Sequence, residues 1–313
     1  MQSKLLFSLF LGLKLIVLIN GKKLRIIEGE YALPGQFPHQ VSIQAMTLDN
    51  CTEQVCGGSI IDKRHILTAA HCFTDNITHQ FIDMPLTVVA GTVDLLNRSS
   101  GIYHDVLYVL IPFSFSLNGP GDFNHDIAIL RLRDPLPLGS HPYLGVVNLP
   151  ASDQYLPPDN LTAIVSGFGV YNQTDLPNGD IISGNKSPYL KFFYGTINVP
   201  DPDGCLDTQV CVESLGLQKG YLEGVCYGDS GGPLYDDTTN TVIGIASYSL
   251  YPWCGNISRF TRVSAYLDFI NRVLGSRVDS TILYSGQSHY YGSQWSGYHS
   301  KRRPGLCHQP PKR

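Results

Sequence analysis

The chain has 313 residues, 43% of them hydrophobic and 15% charged, with a formal net charge of −4. This is the composition of a globular protein with room for one large domain or two ordinary ones and a sizeable core. It excludes a chain too polar to fold, and its acidic balance gives no general footprint for nucleic acid.

The chain opens with Lys4 and a mainly apolar run from Leu5 to Ile19, broken by Lys14 and followed by Asn20 and Gly21. A basic start, a short apolar segment and a small residue are the grammar of a signal peptide over residues 1–20. The run is shorter than the ~18 apolar residues a spanning helix needs, and no other stretch reads as a membrane span. Lys22, Lys23 and Arg25 then precede a new hydrophobic start at Ile26.

From Pro38 to about Pro150, short apolar runs alternate with turn residues. They cover Val41 to Ala45, Gly58 to Ile61, Leu86 to Ala90, Tyr103 to Ile111 and Ile127 to Leu132. A second series covers Ala163 to Val170, Leu190 to Val199, Thr241 to Tyr248 and Arg259 to Val263. Strands at this spacing predict an all-β chain in two halves. Tyr266, Leu267, Ile270, Val273 and Leu274 then recur at helical spacing up to Gly275, with Ser264 as the expected N-cap.

The stretch from Ser276 to Arg313 is rich in Ser, Gly, Tyr and His and lacks a packing pattern, so it reads as a mostly disordered tail. It carries Lys301, Arg302, Arg303, Lys312 and Arg313, and no acidic residue from Thr281 onward. Its histidines, His289, His299 and His308, have no regular metal-ligand spacing, and no metal or other cofactor is expected.

Three segments carry chemistry. Gly228-Asp229-Ser230-Gly231-Gly232-Pro233 sets a serine between glycines on a tight turn, where neighbouring N–H groups can act as donors to a substrate. A serine hydroxyl needs a base, and the base needs a group that fixes its tautomer. His71, in Leu67-Thr68-Ala69-Ala70-His71-Cys72, and Asp126, at the mouth of Asp126-Ile127-Ala128-Ile129-Leu130, supply both types. Taken singly, the loop is an ordinary turn, His71 a packed histidine and Asp126 a strand cap. Together, in the order His, Asp, Ser, they resemble the trypsin and chymotrypsin family of serine endopeptidases over residues 26 to about 275.

That resemblance implies two packed six-stranded antiparallel β-barrels, roughly 26–150 and 151–263, with a terminal helix at 264–275. It implies a secreted endopeptidase acting through His71, Asp126 and Ser230, with an oxyanion hole from the N–H groups of Gly228 and Ser230. Residues 21–25 become a short activation peptide, cut after Arg25 by another protease, whose loss frees the Ile26 amine to pair with Asp229. Ser247, Tyr248 and Ser249 form the edge strand along which a peptide pairs. Counting from the motifs puts the floor of the side-chain pocket at Gly224 and its walls at Ser249 and Ser258. No carboxylate stands at the floor, Glu223 being the nearest acid, so the pocket fits an uncharged side chain. The loop after Phe81 has no acidic pair of the kind that holds calcium in some relatives.

Eight cysteines in an oxidising compartment allow 105 pairings. The family implies Cys56 with Cys72, Cys205 with Cys211 across an unusually short segment, and Cys226 with Cys254. Cys51 and Cys307 remain, either paired with each other or free to bond another chain. Zinc is disfavoured because no Cys-x-x-Cys occurs. Sequons for glycosylation begin at Asn50, Asn76, Asn97, Asn160, Asn172 and Asn185, with one more at Asn256 beside the inferred pocket. Expected partners are protein or peptide substrates, the activating protease and protein protease inhibitors, around a monomer without bound nucleic acid. Two other readings stay open: a catalytically silent homologue that binds partners, and a trypsin-like processing protease.

Overall fold

The computed structural model describes residues 29–47, 49, 51–75, 77–78, 80–117, 122–171, 173–175, 181–197, 204–215, 217–218, 221–222, 224–249, 254, 257–275, 288–292 and 306–307. The expected signal peptide, Arg25, Ile26, Glu223, and the sequons at Asn50, Asn76, Asn172 and Asn256 lie outside the described residues.

In chain order the strands of the first half are β1 (Glu30–Tyr31), β2 (Gln40–Met46), β3 (Thr52–Ile60), β4 (His65–Thr68), β5 (Leu86–Ala90), β6 (Ile102–Pro112) and β7 (Ala128–Leu132). Six of them close a barrel in the order β6-β5-β2-β3-β4-β7, sealed by a β6–β7 pairing, and all pairs are antiparallel. Period-two alternation fixes which face looks inward. Val41, Ile43 and Ala45 of β2, Leu86, Val88 and Ala90 of β5, and Ala128, Leu130 and Leu132 of β7 fill the barrel interior.

The second half contains β8 (Thr162–Gly167), a hairpin of β9 (Gln173–Asp175) with β10 (Ile181–Ser183), β11 (Lys191–Ile197) and β12 (Gln209–Ser214). A small hairpin of β13 (Leu217–Gln218) with β14 (Tyr221–Leu222) precedes β15 (Pro233–Asp236), β16 (Thr241–Ser249) and β17 (Ser258–Arg262). The order β11-β12-β17-β16-β15-β8, sealed by β11–β8, is the second closed barrel. Ala163 and Val165 of β8 point into it, while Ile164 between them packs outward with Phe37, Val89 and Phe192 against the first barrel. Strand β1 crosses over to pair with β11, so the start of the first half is held by the second.

A third apolar cluster joins the barrels. Ile129, an outward residue of β7, and Ile127 just ahead of the strand meet Val242 and Ile245 of β16 and the helix α1 (Leu267–Gly275). Leu267, Ile270 and Val273 recur at three-residue spacing on its buried face, each contributing about 2 kcal/mol on burial. Asp268 in its first turn and Arg272 in its last complement the helix dipole.

Three expectations change. The run read as Gly58 to Ile61 is the end of the longer strand β3, and β4, β12 and β15 were not legible. Ser264 does not cap the helix: it lies within a 3₁₀ turn, Val263–Tyr266, and its Oγ donates to the Tyr155 carbonyl and accepts from Arg262. The tail is in part ordered: β18 (Ser288–Gly292) pairs antiparallel with β6, and Cys307 forms a disulfide with Cys51. The Cys307 N–H donates to the Thr52 carbonyl, so Leu306 and Cys307 lie alongside β3.

Candidate active site

His71 sits in a 3₁₀ turn, Ala70–Phe73, that follows β4 and is stapled to β3 by the Cys56–Cys72 disulfide. Asp126 is fully buried just ahead of β7. The two meet across 55 residues: the Asp126 carboxylate accepts from His71 Nδ1 at 2.7 Å with Oδ2 and from the His71 backbone N–H at 2.9 Å with Oδ1. Ser247 Oγ donates to Oδ2, and Thr261 Oγ1 donates to the Asp126 carbonyl at 2.8 Å, so two strands of the second barrel hold an acid from the first.

Burial works against a charged imidazole at His71, but the charge and hydrogen bond of Asp126 outweigh it and raise the His71 pKa. Burial likewise works against the Asp126 carboxylate, and His71 and Ser247 overcome it to keep its pKa below the ordinary value. A tautomer with Nδ1–H directed at Asp126 leaves Nε2 able to accept a proton.

Ser230 follows a turn tied to both barrels. Its carbonyl accepts from Gly57 N–H at 2.8 Å in the first, and Gly231 N–H donates to Ala246 at 2.7 Å in the second. Gly228 and Gly231 have φ of +98° and +77°, and a Cβ at Gly231 would collide with Thr68 and the Gly57 carbonyl, so neither place takes another residue without strain. Gln54 Nε2 donates to the Gly228 carbonyl at 2.7 Å. Asp229 points inward, 2% exposed, with Oδ1 accepting from Gly169 N–H at 2.7 Å and Oδ2 from Cys226 N–H at 3.1 Å. Burial dominates those bonds and pushes its pKa up to about 7.

His71 and Ser230 line one cleft of about 490 Å³ together with Ser247, Tyr248, Ser249 and Val225. No carboxylate lines it among the described residues. Gly224 is buried and does not line the cleft, whereas its neighbour Val225 does. Ser258, 2% exposed, stands behind Ser249 with the two Oγ atoms 3.1 Å apart. The Cys226–Cys254 disulfide borders the same wall, and Cys205–Cys211 forms despite a separation of 6 residues. The stretch from Leu250 to Trp253 lies outside the described residues.

Several cleft residues gave no sequence signal. The Phe123 ring meets His71 edge-on at 5.5 Å and stacks on Tyr248 at 5.3 Å, closing the cleft above the imidazole. Lys186 also lines it, bound to Glu53 at 2.9 Å and to the Gln54 carbonyl at 2.7 Å. An aromatic three residues before Asp126 was the one available clue. Asn97, Asn160 and Asn185 are exposed.

A sequence model of the trypsin family matches residues 26–270. Chymotrypsin-C of Bos taurus is 30% identical over 261 residues, covering 80% of this chain and 89% of the relative. Chymotrypsin-like elastase family member 1 of Felis catus is 31% identical over 264 residues, covering 80% and 90%. Among solved structures, the human heparin binding protein matches with a TM-score of 0.62 and 27% identity, over 81% of this chain and 99% of that one.

Proposed function

The chain belongs to the trypsin family of serine endopeptidases, and from that premise we propose that it is secreted, is activated by cleavage after Arg25, and cuts peptides after uncharged residues with His71, Asp126 and Ser230. The observation that carries this reading is the 2.7 Å bond between His71 Nδ1 and Asp126 Oδ2 at the edge of a cleft that Ser230 shares.

The Ser230 hydroxyl attacks the peptide carbonyl and passes its proton to His71 Nε2. Asp126 keeps the ring oriented and offsets the imidazolium charge. The N–H groups of Gly228 and Ser230 donate to the oxygen that becomes negative, each worth about 3 kcal/mol in the transition state. The tetrahedral adduct collapses when the amide C–N bond breaks and the leaving amine takes the proton from His71. Water then attacks the ester, gives a proton to His71, and the ester bond breaks to return the Ser230 hydroxyl and a free carboxylic acid.

The neutral residues Val225 and Ser249 of the wall, with Ser258 behind them, support an uncharged side chain, since a guanidinium or ammonium in a pocket without a carboxylate is left uncompensated. Residues 1–20 act as the signal for export, 21–25 as the activation peptide, and the four disulfides fit an oxidising compartment. Exposed Asn97, Asn160 and Asn185 suit glycosylation, and the remaining sequons are proposed on sequence alone. Substrates are proteins or peptides, and inhibitors that occupy the same cleft are further partners. The likeness to the human heparin binding protein is the one support for a purely binding role; the retained histidine, aspartate and serine favour the enzyme.

The test is to profile the Arg25-cleaved chain on peptide anilides ending in Phe, Leu, Ala or Arg. Preference for one of the first three is expected, and a clear preference for Arg refutes the pocket reading.

A further inference from the structure

Lys191 has no exposed surface, and burying an ammonium is costly unless an anion or aromatic faces compensate it. The sheet register shows what it faces. Lys191 stands directly opposite Gly167 across the β8–β11 pair, and opposed residues of an antiparallel pair project from the same face of the sheet. On that face the space that a Gly167 side chain would fill is occupied by the carboxylate of Asp229. Any larger residue at 167 would expel Asp229, so the glycine makes room for the acid while the lysine beside it supplies positive charge. That charge acts on Asp229 to favour its ionised form, against the burial that disfavours it.

The far end of the lysine shows a second environment. Its Nζ donates to the Gly29 carbonyl at 3.4 Å and lies 4.7 Å from the ring centre of Tyr31 and 5.8 Å from that of Tyr171. Gly29 is three residues after Ile26 in the sequence, so the lysine touches the chain close to the proposed new start.

Resting on the reading that cleavage frees the Ile26 amine for Asp229, we propose that Lys191 is a resident second cation for Asp229. It is a positioning residue: it holds Asp229 inward, and with it Gly228 and Ser230, in a share of the uncut chains. After cleavage the Ile26 amine takes over, and the ammonium rests on the Gly29 carbonyl and the two tyrosine faces. The uncut chain therefore has activity of its own, and that activity measures the competent share of the population.

The experiment compares an uncut Arg25→Gln chain with the Arg25-cleaved chain, each carrying Lys191, Lys191→Met or Lys191→Arg, on a peptide anilide with a residue the cleaved chain accepts. The uncut Lys191 chain is expected to hydrolyse it. Lys191→Met should lower the uncut rate by about tenfold or more and the cleaved rate by less than about threefold, because only the uncut form depends on the lysine for its competent share. Lys191→Arg, which keeps the cation, should restore most of the uncut rate. An inactive uncut chain beside an active cleaved one, or a Lys191→Met loss equal in both forms, overturns the proposal. If Lys191→Met does not fold, Lys191→Arg carries the test. In that case an uncut rate kept within about threefold in Lys191→Arg supports the proposal, and an equal loss in both forms overturns it. A cleaved chain that is active without dependence on the Ile26 amine, shown by activity unchanged in an Ile26-blocked product, refutes the activation reading itself and this proposal with it.

Discussion

At the scale of single residues, the proposed mechanism depends on one buried acid holding one imidazole. Asp126→Asn keeps the shape and the hydrogen bond from Ser247 but lets the ring adopt the wrong tautomer. It should lower kcat about ten-thousand-fold while the protein stays folded, the loss that this change produces in known triads. A loss below about tenfold would mean that Asp126 does not set the tautomer. Because the proposed mechanism needs neutral His71 and Asp126 raises its pKa, activity should fall away, as pH is lowered, at a pH above the ordinary imidazole value. A second histidine acts on stability alone. His39 is 1% exposed, packs 4.5 Å from Tyr235, and has no hydrogen-bond partner for either ring nitrogen among the described residues. Burial lowers its pKa to about 4. Between the unfolded value near 6.5 and about 4 the unfolded state binds the proton and the native state does not, so stability falls as pH falls through that window, by about 3 kcal/mol in all. His39→Phe should narrow the difference in melting temperature between pH 7.5 and pH 4.5; an unchanged difference refutes the assignment. His71, Asp126 and Ser230 stood out as candidates because each sits in a run of distinctive neighbours, and the fold brings them to one cleft region. Gln54, Phe123 and Lys186 did not, since their roles arise from contacts across 174, 52 and 133 residues of chain that no local pattern encodes.

At the scale of elements, long alternating runs were readable and short ones were not. β2, β5 and β16 announced themselves through repeated Val, Ile and Ala, whereas β4 has four residues and β15 opens on a proline, so neither carries enough period to stand out. Ser264 shows the same limit: a serine before an apolar run is an N-cap by pattern, but the carbonyl of Tyr155, brought close only by the fold, competes for its hydroxyl and wins. The tail misled for a related reason, since a strand added to the edge of β6 needs backbone partners more than an apolar pattern. The Cys51–Cys307 bridge spans 256 residues, and the chain-entropy estimate for so large a loop is about 5 kcal/mol. The double change Cys51→Ser with Cys307→Ser should therefore lower the midpoint of urea unfolding and leave kcat of the cleaved enzyme within about twofold, because the bridge touches no group of the cleft. An unchanged midpoint would show that the tail adds nothing to the folded unit.

At the scale of the whole molecule, the two barrels are independent cores joined by a seam, and each supplies what the other lacks. His71 and Asp126 come from the first, Ser230 and the strand bearing Ser247 from the second, and the Gly57 to Ser230 bond crosses between them. In the proposed mechanism, chemistry depends on the docking of the two barrels and on Asp229 lying inward, as it does here. The most direct measurement is to expose the Arg25-cleaved protein to an organofluorophosphonate and locate the adduct by peptide mapping. A stoichiometric adduct on Ser230, absent from a His71→Ala variant that remains folded, is the predicted result. A folded, cleaved chain that takes up no label at Ser230, or takes it up equally well without His71, would contradict the account.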